Sequence, residues 1–187
     1  MSRIYSKQDV LDIVEHLSEA EVYELFSVVD DKPSTALELF DASTYATDLA
    51  RITIGAELLP RRVSRLWACD TAESVHCWYT PVSAHDKLPQ TLVALGRMYA
   101  VVLLTDDVVS VDTHGINDIA CDRDEASYYV LTAALCAARG NAGGVADAVS
   151  DLARQAGAQE KMLKQYVAEI RGLLVREKLN VEGEDEV

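Results

Sequence analysis

An all-α bundle of about seven to eight helices is predicted by three observations. Apolar residues recur at three- and four-residue spacing over most of the chain; helix-starting pairs such as Ser18 with Glu21 precede these stripes; proline or glycine closes them. Only residues 105–122 break the pattern. The expected organisation is a single helical domain over 1–180, with 105–122 as the place for any internal boundary, then a frayed acidic tail over 181–187.

Taken in order, Ser6 with Asp9 starts a short helix on which Val10, Leu11, Val14 and Leu17 share a face. Ser18 and Glu21 then form a capping pair, and Val22, Leu25, Phe26 and Val29 repeat at helical spacing until Asp30-Asp31-Lys32-Pro33. Residues 7–29 thus hold two linked helices or one bent one. After Pro33, Ser34 can cap a long helix whose stripe reads Leu37, Phe40, Tyr45, Leu49, Ile52, Ala56 and Leu59, closed by Pro60. Asp41 falls in that register, so it either has a partner or marks a break near Ala42.

Pro60 opens the next helix, which runs to about Tyr79 before Thr80-Pro81. A turn at Asp86-Lys87-Leu88-Pro89 leads to the stripe Leu92, Leu95, Tyr99 and Val102, where Gly96 suits close helix packing. Residues 105–122 loosely alternate β-branched and polar residues, which fits a strand, an exposed connection or a functional loop. Their aspartates and His114 do not follow the spacing of a helix–loop–helix calcium site. Helix resumes at about Arg123, with Tyr128, Leu131, Leu135 and Ala138 inward, and stops at Gly140-Asn141-Ala142-Gly143-Gly144. That turn lacks the lysine and the Ser/Thr ending of a phosphate loop. Val145, Val149 and Leu152 precede Gly157, and Leu163, Tyr166, Val167, Ile170, Leu173 and Leu174 make a final stripe. Packing on the parent bundle and pairing with a second copy through 158–179 both fit that stripe.

Composition narrows the classes of function. At 49% apolar and 26% charged residues, the 187-residue chain can bury a sizeable core without disulfides or metal. Its 31 acidic and 17 basic residues leave a net charge of −14, which repels nucleic acid and anionic membranes and attracts a basic protein partner. The same charge also serves solubility. Cys69, Cys77, Cys121 and Cys136 form no Cys-x-x-Cys clip and no secretory leader precedes them, so a reducing, cytoplasmic setting is expected. The longest apolar run, Met98 to Leu104, is far short of the roughly twenty residues of a membrane span.

The stretch from Leu66 to Trp78 carries the most chemistry. Cys69, Glu73 and His76 stand at i, i+4 and i+7 and so share a helical face, the arrangement from which a metal-binding or enzymatic bundle would start. A carboxylate di-iron centre needs a second Glu-x-x-His and further glutamates, and the chain has no second such motif. Hydrolase elbows are likewise absent from the sequence, and Cys77 and His76, being neighbours, point about 100° apart. No cofactor and no catalytic residue are therefore expected. Asp70 and Glu73 read instead as a structural polar hub with Arg65 and Arg97, holding helices in register.

The segment Arg65-Leu66-Trp67-Ala68-Cys69-Asp70-Thr71-Ala72-Glu73-Ser74-Val75, then Asp86-Lys87-Leu88-Pro89, then Leu92-Val93, Arg97, Tyr99 and Ala100, resembles the core of a helical family of immunity proteins of bacterial toxin systems, which is also scattered through phage genomes. That family carries a Leu-Trp-Ala-x-x-x-Ala-Glu helix, an Asp-x-Arg-Pro turn and an Ala-Ile-x-x-x-Arg-x-Trp-Ala helix; here Leu88 replaces the arginine and Tyr99 the tryptophan. The resemblance implies an all-helical inhibitor or binding protein. Three classes of function follow as expectations: a non-enzymatic immunity-type or phage-encoded inhibitor of a basic effector, an assembly protein that oligomerises through its last helix, or a metal or enzymatic bundle using Cys69, Glu73 and His76.

Overall fold

The computed structural model describes residues 4–13, 34–78, 87–102 and 125–184. Readings that fall on 14–33, on 105–122, on His16, His85, His114 and Cys121, and on the side chains of Cys77 and Trp78 lie outside the described residues. Among the described residues the fold is all-α: eight α-helices, one 3-10 turn and a two-stranded antiparallel ladder that pairs Ile4 with Thr35 and Tyr5 with Ser34. The chain divides into two compact units, 60–162 and a second made of 1–59 with 163–187. The boundaries of these units fall at Leu59/Pro60 and Met162/Leu163, while 105–122, the place expected for any internal boundary, lies outside the described residues.

The terminal unit holds β1 (Ile4–Tyr5), α1 (Lys7–Ile13), β2 (Ser34–Thr35), α2 (Ala36–Ala42) and α3 (Asp48–Leu58). It also takes all but the first residues of the last helix, α8 (Gln159–Glu184). Ser6 and Asp9 start α1 as their spacing predicts: Asp9 Oδ2 accepts from the Ser6 amide at 2.8 Å, and the Asp9 amide donates to Ser6 Oγ. The cap of α2 is Thr35, one residue beyond the expected Ser34, because Thr35 forms a reciprocal capping box with Glu38. The single long helix expected over 34–59 is broken by a 3-10 turn at Ser43–Tyr45, after which Thr47 caps α3.

The break shifts the helical register, so Leu39 and Ile54 are fully buried while Tyr45, expected inside, is exposed. Asp41 has a partner as well as a break beside it: Arg171 on α8 grips it with Nε at 2.8 Å and a second nitrogen at 2.9 Å. That paired carboxylate raises the Arg171 pKa further, so the guanidinium stays charged. The α8 stripe of Tyr166, Val167, Ile170 and Leu174 is buried within a single chain. Gly55 on α3 admits it closely, since a Cβ there would collide with Ile170 and the Phe40 ring. The helix runs on to Glu184, so the first part of the expected frayed tail continues α8.

Among its described residues the unit 60–162 packs four helices, α4 (Arg61–Trp78), α5 (Leu88–Val102), α6 (Glu125–Arg139) and α7 (Ala142–Gln155), with α4 and α6 each touching the other three. Burial along α4 falls on Ser64, Trp67, Ala68, Thr71, Ala72 and Val75, which is one face of a 3.6-residue helix, with Cys69 at its edge. Gly140 ends α6 as predicted, but the turn expected over 140–144 is shorter, because Asn141 caps α7 and Ala142–Gly144 form its first turn. Gly140 takes φ +75°, its amide donates to the Ala137 carbonyl and that of Asn141 to Cys136, closing a Schellman turn that a Cβ would strain. Gly157 at φ +66° closes α7 in the same way. Tyr128, expected inward, is exposed instead and meets Tyr129 edge to face.

Candidate functional site

The residues singled out between Leu66 and Trp78 lie along one seam, where α4 runs against α5. Cys69, Glu73 and His76 do share the face that their spacing predicts, but α5 occupies it. Cys69 Sγ, fully buried, sits in the notch over Gly96 and 4.0 Å from the Ala137 carbonyl; Glu73 meets Arg97; His76 Nε2 stands 3.2 Å from the Gln90 amide nitrogen. Each therefore finds its own partner along an antiparallel seam, and the three do not converge on a point. Among the described residues there is no group of three or more His, Cys, Asp or Glu side chains placed to hold a metal ion.

Burial also sets the chemistry of the thiols. Desolvation pushes Cys69 from 9.0 up to about 11, with the Arg97 charge acting in the opposite direction and Asp70 adding to the rise. Cys136 is raised for the same first reason. A thiol that stays protonated through neutral pH is a packing group and a poor nucleophile.

The polar hub expected from Asp70, Glu73, Arg65 and Arg97 separates into two sites. One Arg97 nitrogen donates to Asp70 Oδ1 at 2.7 Å and, closer still, to Glu73 Oε2. These groups are not inside the bundle: the Asp70 side chain is 69% exposed and that of Glu73 54%. Spacing could show that both acids share an edge of α4 but not that α5 leaves that edge open. The expected cost of several kcal/mol for breaking a buried pair becomes about 0–1 kcal/mol for an exposed one. Because a single Arg97 nitrogen serves both acids, one oxygen of each carboxylate remains open, and Arg97 Nε is buried without a hydrogen-bond partner.

Arg65 belongs to neither acid. It crosses to the end of α6, donates to the Arg139 carbonyl at 3.1 Å, lies against Gly140 and stands 6.0 Å from the Tyr99 ring centre. This places a cation where helix carbonyls lack partners.

Beside the acids, α4 and α5 enclose a partly open cleft of about 120 Å³ lined by Glu73, His76, Pro89, Gln90, Val93, Ala94 and Arg97. Leading away from it, the outer face of α5 carries Ala94, Met98 and Val101, with Met98 50% and Val101 56% exposed. The sequence reading missed both features. Met98 and Val101 are an apolar pair at helical spacing that lies off the stripe Leu92, Leu95, Tyr99 and Val102, and that mismatch is a signal the sequence contains.

No family model, curated protein or solved structure matches this chain. Among the described residues no helix is long and apolar enough to cross a membrane.

Proposed function

We propose that this chain is a non-enzymatic binding protein of the cytoplasm that holds a basic protein partner, as an immunity-type or phage-encoded inhibitor of a basic effector. The observation that carries this reading is the net charge of −14 on an all-helical scaffold, a surplus that repels nucleic acid and accelerates encounter with a cationic protein. The resemblance of residues 65–100 to helical immunity proteins supports the same reading. So does the chemistry of the seam, where the fully buried Cys69 thiol is held protonated and the carboxylates are engaged by arginine.

The test is co-expression with the flanking gene product of highest isoelectric point, followed by binding kinetics at two salt concentrations. A stable complex whose association slows markedly as the Debye length falls from about 10 Å at 0.1 M salt to about 3 Å at 1 M is the expected result. The reading fails if no complex forms at low salt, or if association is indifferent to salt.

A further inference from the structure

The cleft between α4 and α5 joins two features that a basic protein surface would need. Its lining from Pro89, Val93 and Ala94 is apolar, that from Glu73, His76, Gln90 and Arg97 is polar, and Asp70 lies one turn from Glu73. Two carboxylates against one guanidinium leave a local excess of negative charge, and each has one oxygen that Arg97 does not engage. The cleft holds the volume of about four waters, room for a terminal ammonium or guanidinium and part of its stem. Lysine and arginine lay apolar stems on apolar surface while their heads seek carboxylate, so this mixture of apolar and polar lining suits them better than a neutral or anionic group. The line from Ala94 through Met98 to Val101 continues the same surface for about 10 Å along α5, at the spacing by which one helix face meets another.

We propose that this cleft and the outer face of α5 form one docking surface for a helix of a basic protein partner, which seats apolar side chains on Ala94, Met98 and Val101 and places a lysine or arginine in the cleft against Glu73 and Asp70. The inference rests on the binding reading above and adds the place of contact and the chemistry that recognises it. The charge of the whole chain brings the partner in; this surface orients it.

Two measurements test it. The first needs no partner: backbone amide shifts are followed while N-acetyl-arginine-methylamide is added, with the neutral N-acetyl-norleucine-methylamide as control. Saturable shifts confined to Glu73, His76, Gln90, Val93, Ala94 and Arg97, absent with the neutral compound and lost in Glu73→Gln, are expected. Scattered or unsaturable shifts, or equal shifts with the neutral compound, overturn the site. The second uses the complex with the cationic flanking gene product. Glu73→Gln and the double variant Met98→Gln/Val101→Gln alter exposed side chains, so each should melt within about 4 °C of the parent while weakening binding roughly tenfold. A salt-dependent complex that both variants bind as tightly as the parent leaves the partner reading intact and refutes this surface.

Discussion

Replacing Gly96 with alanine tests how closely α5 lies on α6. An added Cβ would stand 2.8 Å from the Ala137 carbonyl oxygen, 2.8 Å from Cys69 Sγ and 3.1 Å from Ala138 Cα. Carbon–oxygen contacts ordinarily settle at about 3.3–3.6 Å, so the carbonyl must retreat by roughly 0.5–0.8 Å. Two of the three obstacles are backbone atoms of α6, and no rotamer change moves them. Overpacking by one carbon costs about 1–3 kcal/mol, against a gain of about 0.5–1 kcal/mol from replacing glycine within a helix. The net expectation is a loss of about 0.5–2 kcal/mol, a fall in Tm of roughly 2–6 °C for a chain of this size.

Gly172 on α8 supplies the control, because a Cβ there meets nothing within 4 Å. Gly172→Ala should raise Tm by about 1–3 °C through helix propensity alone. Thermal melts followed by circular dichroism, with urea midpoints as a second measure, separate the two signs. Adding Cys69→Ala to Gly96→Ala removes one obstacle and leaves the carbonyl, so the pair should be non-additive by about 0.5 kcal/mol or more. A Gly96→Ala protein as stable as Gly172→Ala would refute the close approach of α5 to α6 and with it the notch that holds Cys69.

Two further outcomes follow from the seam. Because the folded protein holds Cys69 near 11 while the unfolded thiol ionises near 9.0, the contribution of this group is fully present below pH 9 and is lost as pH rises toward 11. Stability measured from pH 8 to 11 should therefore fall in the parent more than in Cys69→Ala, and alkylation mapped by mass spectrometry at pH 8 should reach Cys69 only in denaturant; rapid labelling of the native thiol would contradict its burial. The two arginines of the seam should differ in kind. Arg65→Met removes the donor to the Arg139 carbonyl and should cost about 1 kcal/mol, whereas Asp70→Ala breaks an exposed pair and should cost at most about 1 kcal/mol, shrinking with added salt. A salt-insensitive loss of several kcal/mol in Asp70→Ala would mean that the carboxylate is buried.

What the sequence made legible is what local periodicity encodes. Helix starts at Ser6, helix ends at Gly140 and Gly157, and the buried face of α8 follow from spacing and turn chemistry within a few residues. The partners did not follow, because they lie far along the chain. Asp41 posed a choice between a partner and a break; both occur, and the partner Arg171 is 130 residues away. Sequence shows charges and hides carbonyls, so Arg65 reads as a partner for carboxylates, yet its acceptor is the backbone of Arg139, 74 residues on. For Cys69, Glu73 and His76, the spacing identified the shared face correctly, but only the placement of α5 shows that this face is filled by Gly96, Arg97 and Gln90.

The division of the chain also sets an order of events at the ribosome. Residues 60–162 are contiguous in sequence and can close on themselves once they have emerged, whereas Phe40 on α2 waits for Ile170 on α8, which is made after that whole unit. The segment 34–59 is thus made before the unit that follows it and completed after it. During that interval the apolar side chains of that segment, Phe40 among them, are the ones left open to chaperones and to self-association.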